Sequence, residues 1–195
     1  MQLFSPFTDK WFHHDALFII DVWMLTGLSL AIWLSRRRER SGGNWQRPAV
    51  AGLGVLLVYI AGNGGLSALA KDAPRLAAPE VIYASPPPVL FWRRELAWRQ
   101  AREVRWGSYD PFRSLSQLVE LTAPVPDNLA DPLVRRALLA PGMSRFARWS
   151  TMPIAQVDRG RCRARVSFGD ARYGRSVREN RFRQGVELPT GGPGC

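Results

Sequence analysis

The sequence predicts a membrane α-helical N-terminal part, with two transmembrane helices, followed by a small α+β extracytoplasmic domain. Three observations carry this reading. Residues 17–34 and 49–69 form two apolar runs, the first with a single ionisable residue, Asp21, and the second with none. An arginine-rich stretch, SRRRERSGGNWQR, separates them. Beyond residue 80 the chain turns polar and carries strand alternation and helix-capping signals.

Both runs are long enough for the first prediction, since about 20 residues of helix cross a hydrocarbon core about 30 Å thick. Neither reads as a signal peptide, because the first starts late and lacks a basic leader. The intervening loop holds Arg36, Arg37, Arg38, Arg40 and Arg47, whereas the outer flanks hold Lys10 on one side and Lys71 and Arg75 on the other. Positive charge stays on the cytoplasmic side, so the loop is expected there and both termini outside. The expected organisation is an interfacial segment at 1–16, helices at 17–34 and 49–69, a basic loop at 35–48, a linker at 70–80, the α+β domain at 81–189 and a disordered tail at 190–195. Glycines at 52, 54, 62, 64 and 65 permit close helix approach, and GNGG at 62–65 is a place where the second helix could break.

In the polar part, residues 81–84 read as a short strand. Two strands are expected to meet near 99–102. DPLVRRALLA at 131–140 reads as a helix, with Asp131 as N-cap, Pro132 at the first helical position and Pro141-Gly142 as the stop. Residues 143–149 continue as a second short helix. Residues 161–168 alternate, with Cys162, Ala164, Val166 and Phe168 on one face and Arg161, Arg163 and Arg165 on the other, as in a half-buried strand. VELPT at 186–190 adds a last strand.

The net charge is +11, and of 27 basic residues only Lys10 and Lys71 are lysine. Arginines scattered among Trp, Leu and Val lack the dense stripe of a nucleic-acid module, and the topology puts them outside the cytoplasm, so no nucleic-acid partner is expected. A solvated basic face near lipid headgroups fits better. The two cysteines, Cys162 and Cys195, form no CxxC or Cys/His cluster, which excludes a zinc ribbon. A disulfide between them is open outside the cytoplasm but disfavoured by so loose a chain end.

The candidate chemistry lies in WFHHDALFIID at 11–21, which holds the only two histidines, His13 and His14. His13, Asp15 and Asp21 are candidate ligands for a divalent metal, an incomplete set, since three or four well-placed donors are needed. The competing reading is an interfacial belt, with Trp11, Phe12, His13 and Trp23 at headgroup level and Asp15 capping the helix. No Gly-rich phosphate loop, nucleophile elbow or Ser/His/Asp set is visible. Asp170 in GDARYG reads as a turn residue or a polar contact lining a site.

Several segments together resemble the bacterial membrane-bound metal-dependent hydrolases. They are FSPFTDKWFHHDALFIIDVW at 4–23, the Arg-rich loop, FWRREL at 91, GSYDP at 107, ADPLVRRALLAP at 130, FARWSTMPIA at 146 and GDARYG at 169. The resemblance implies a divalent-metal hydrolase of the bacterial inner membrane, in which His13, Asp15 and Asp21 match the family pattern and His14 replaces a small residue. It also implies that the chain corresponds to the C-terminal half. The family's other His- and Asp-rich motifs precede SPF, so a missing N-terminal half is an expected partner, whether this chain is a fragment, an internal start or half of a split gene. The alternative function is a non-catalytic, membrane-anchored basic domain that binds anionic lipid or a protein partner.

Overall fold

The computed structural model describes residues 20–72, 79–115 and 117–190. Among the described residues it contains four α-helices and two antiparallel sheets, an α+β architecture. Helix α1 spans Val22–Arg40 and α2 spans Gln46–Asp72. Asp21 is the N-cap of α1: it is extended, and its carboxylate accepts from the Met24 backbone N–H at 2.9 Å. That satisfies one of the amide groups a helix start leaves free. The cap is therefore Asp21 rather than Asp15, and α1 begins after the acid instead of running through it. Arg37, Arg38 and Arg40 close the last turn, where their charge favours the carbonyl end of the helix.

Gly42, at φ +71°, ends α1, and the turn 41–45 reverses the chain into α2. The helices extend into the expected loop at both ends. They cross closest where Gly52 faces Ala31; a methyl group built on Gly52 would collide with the Ala31 side chain. Helix α2 runs unbroken through 62–65, so the expected break does not occur. One helix among the described residues, α2, is long and apolar enough to cross a membrane. Helix α1 buries none of its residues, and Trp23, Leu25, Leu30, Ile32 and Trp33 are all exposed.

The polar part begins with β1 (Val81–Ser85), β2 (Arg94–Gln100), β3 (Glu103–Tyr109), β4 (Leu118–Glu120) and β5 (Val125–Pro126). They form one sheet in the order β1-β2-β3-β4, with β5 also paired to β3. Helices α3 (Pro132–Leu138) and α4 (Met143–Trp149) follow. A second sheet, β6 (Pro153–Arg159), β7 (Arg163–Asp170) and β8 (Gln184–Pro189), then runs as a simple meander.

Strand period decides the layering. Leu96 and Trp98 of β2 face one side with Ala84, Tyr109 and Ala70 of α2; Ala97 faces the other with Val104, Trp106, Met152 and Ile154. The first sheet is thus held between the end of α2 and the second sheet. The far side of the second sheet packs Val166 and Phe168 against Val134, Ala137 and Phe146 of α3 and α4. Asp127 joins the two sheets. It faces Arg99 across 3.1 Å, its carbonyl accepts from the Ala155 N–H, and Arg99 also donates to the Pro153 carbonyl.

One sequence expectation is corrected here: Cys162 is disulfide-bonded. The reason is the course of β8, which pairs Pro189 with Arg163 and lets the Thr190 N–H bond the Cys162 carbonyl at 3.1 Å. The returning strand thus brings Thr190 beside Cys162. Cys195, the only other cysteine, lies outside the described residues, as do the rest of the expected tail and most of the linker.

Candidate functional site

The main polar cluster sits where the start of α1, the second half of α2 and β2 meet. Asn63, Ser67 and Ala70 form a stripe at helical spacing on α2, and all three are buried against the first sheet. Into this stripe points Arg94, which is 0 % exposed. Its Nε donates to Ser67 Oγ at 2.9 Å, and its Nη2 donates to both the side-chain and backbone oxygens of Asn63 at 2.9 and 2.8 Å. Its Nη1 donates to the carbonyls of Phe91 and Arg93. All five guanidinium N–H groups therefore have acceptors, and every one of those acceptors is neutral. Burial drags the Arg94 guanidinium down to about 10, which still leaves it charged at neutral pH.

One turn along α2 the cluster reaches Asp21. Asn63 donates to the Tyr59 carbonyl at 2.9 Å, and the Tyr59 hydroxyl donates to Asp21 Oδ2 at 2.8 Å. Asp21 is 3 % exposed. The segment before β2 covers this junction: Trp23 donates to the Val89 carbonyl at 2.8 Å, and Phe91 meets the rings of Trp23 and Tyr59.

Among the described residues, no group of three or more His, Cys, Asp or Glu side chains converges as a metal site would require. Asp21 stands as one carboxylate whose oxygens already accept from Met24 and Tyr59, close to a buried cation that opposes a second one. These donors do not by themselves make a metal centre. His13 and Asp15, the other candidate ligands, lie outside the described residues.

A second cluster surrounds Asp170, which is 0 % exposed. Its Oδ1 accepts from Arg172 Nε at 2.9 Å, and its Oδ2 from Arg172 Nη2 at 2.9 Å and Ser150 Oγ at 2.8 Å. Asn180 donates to its carbonyl at 2.6 Å. Burial alone would raise the Asp170 carboxyl, but the Arg172 contacts outweigh it and hold the group below the usual carboxylate range. The guanidinium lies over the rings of Tyr83, Tyr173 and Trp149 at 5.0–5.7 Å. Asp170 is thus a turn aspartate, accepting from the Arg172 N–H at 3.0 Å to cap the turn 171–173, and also half of a buried structural ion pair. Sequence reasoning missed Arg94 and Arg172, because an arginine in an arginine-rich chain carries no signal of burial. The one hint was FWRREL, where an arginine takes the inward register of an otherwise apolar strand face.

The chain matches no family model, no curated protein and no solved structure. The family resemblance therefore rests on the segments quoted above.

Proposed function

We propose that this chain is the membrane-anchored C-terminal portion of a metal-dependent hydrolase of the bacterial inner membrane. In this reading both helices cross the bilayer, the turn 41–45 is cytoplasmic and the two sheets lie outside. A divalent metal would be held mainly by ligands supplied from elsewhere, with Asp21 at the edge of the site. Tyr59, Asn63 and Arg94 fix the wall against which that site is completed.

One observation carries the proposal. The segments that resemble the hydrolases supply several of the buried polar groups, while Asn63, Ser67, Asp127 and Asn180 come from outside them. Asp21 ends the first, Arg94 lies in FWRREL, and Ser150 and Arg172 come from FARWSTMPIA and GDARYG. FWRREL and GSYDP also meet directly, through Arg93 and Asp110 at 2.8 Å. Solvated surface segments would not converge in this way. The disulfide at Cys162 supports an oxidising compartment for the sheets. The test is hydrolysis of generic ester and phosphoester substrates by membranes that contain the chain. Activity removed by chelation and by deletion of the chain supports the proposal; activity indifferent to both opposes it.

A second reading, a non-catalytic basic domain, is favoured by a groove between α4 and the start of β8. Arg145, Arg181 and Arg183 line it together with Phe146, Trp149 and Phe182. Salt-sensitive binding to anionic vesicles that ignores Asp21→Asn would favour this reading over the first.

A further inference from the structure

A groove of about 380 Å³ opens between α1 and α2 at the end nearest the 41–45 turn. Its walls are apolar: Leu28, Ala31, Ile32, Ala49 and Leu53. It runs alongside the tight Ala31–Gly52 approach, with Ala31 in its wall. Ser35 lines the groove, and its hydroxyl is buried with no hydrogen-bond partner. At the mouth stand Arg36, Glu39 and Trp45. Arg37 sits over the Trp33 ring at 5.4 Å, an arrangement suited to the headgroup layer.

We infer that this groove seats one anionic phospholipid of the cytoplasmic leaflet, with an acyl chain between the helices and the phosphate at Arg36. The inference rests on the reading that both helices cross the membrane. Two independent features choose the ligand. The apolar walls suit an acyl chain. Arg36 and Glu39 line the mouth, and the surrounding segment adds Arg37, Arg38, Arg40 and Arg47, which makes this end of the hairpin basic. Basic pockets between transmembrane helices on the cytoplasmic side bind acidic headgroups in this way. Glu39 takes a hydroxyl donor of a glycerol headgroup. The lipid fills the opening beside the Ala31–Gly52 approach and stabilises the hairpin where the helices do not touch.

The test is native mass spectrometry of the full chain released from vesicles of phosphatidylglycerol and phosphatidylcholine. The wild type is expected to retain one phosphatidylglycerol in preference to phosphatidylcholine. Arg36→Gln removes the phosphate contact, and Ala49→Phe fills the groove without touching the charge. Each should lower retention about fivefold, the worth of one interfacial arginine, with both variants still resisting alkaline extraction. Equal retention of the two lipids, or retention unmoved by both variants, overturns the lipid site. Alkaline extraction of the wild type overturns the membrane reading itself and so separates the two failures.

Discussion

Arg94 and Asn63 are joined twice: one Nη2 donates to both the side-chain oxygen and the backbone carbonyl of the same asparagine, at 2.9 and 2.8 Å. This doubled contact couples a strand of the first sheet to a helix proposed to lie in the membrane. It fixes orientation as well as distance, because a planar guanidinium held by five acceptors cannot rotate.

Removing Arg94 therefore takes away the donor to Ser67 Oγ and to the side-chain and backbone oxygens of Asn63 in a closed interface. Arg94→Ala is expected to destabilise the protein by about 3 kcal/mol, and Arg94→Lys by nearly as much, because an ammonium cannot reach five divergent acceptors. Arg94→Met, which fills the volume without charge, should cost less. Thermal melting in detergent orders the three variants; a lysine variant as stable as wild type would contradict the geometry.

Asp170 predicts a pH dependence. Its folded carboxyl is held below the value of about 3.9 of an unfolded aspartate, so its pairing with Arg172 stabilises the fold fully above that value. The contribution falls away as the pH drops through the depressed folded value. Asp170→Asn should flatten this acid limb and, at neutral pH, cost about 3 kcal/mol by depriving a buried guanidinium of its carboxylate. Stability measured by denaturant between pH 2 and about pH 7 checks both parts.

The β2–β3 hairpin turns through Ala101 and Arg102, both left-handed at φ +51° and +63°. Such a turn favours Asn-Gly, and neither residue present is suited to it. Replacing Ala101-Arg102 by Asn-Gly should raise stability by about 1 kcal/mol. A loss of stability would mean that Arg102 makes a contact worth more than the strain.

Cys162 is not a free thiol. Alkylation of the native protein followed by peptide mapping should leave Cys162 unlabelled, and prior reduction should expose it. Labelling without reduction would contradict the disulfide and remove one support for an extracytoplasmic domain.

Much of the framework was legible in the sequence, where local chemistry decides structure. Asp131 caps α3 by accepting from the Leu133 N–H at 2.8 Å, as Asp-Pro before an apolar run implies. The alternation around Val166 gave β7, and 99–102 held the hairpin turn without any Asn-Gly signal. What stayed hidden depends on partners distant in sequence. Strand β6 was missed because Met152-Pro153 looks like a turn; Pro153 is tolerated as the first residue of the strand. Asp21 read as a charge inside an apolar helix and proved to be its cap, with Tyr59 thirty-eight residues away as its second partner. The disulfide at Cys162 was misjudged for the same reason, since only the pairing of β8 with β7 brings Thr190 back to Cys162.

The proposed function places Asp21 at the edge of a divalent-metal site. Asp21→Asn tests it, because the asparagine oxygen can still cap α1 while its amide, in place of Oδ2, can donate to the Tyr59 hydroxyl. The decisive measurement is the metal content of the protein isolated from its own membranes with whatever partner accompanies it, for wild type and variant side by side. The account predicts bound divalent metal in the wild type and an affinity loss of about 10- to 100-fold in Asp21→Asn, with an unchanged melting profile. Absence of metal from the wild type, or equal metal in both proteins, would contradict it.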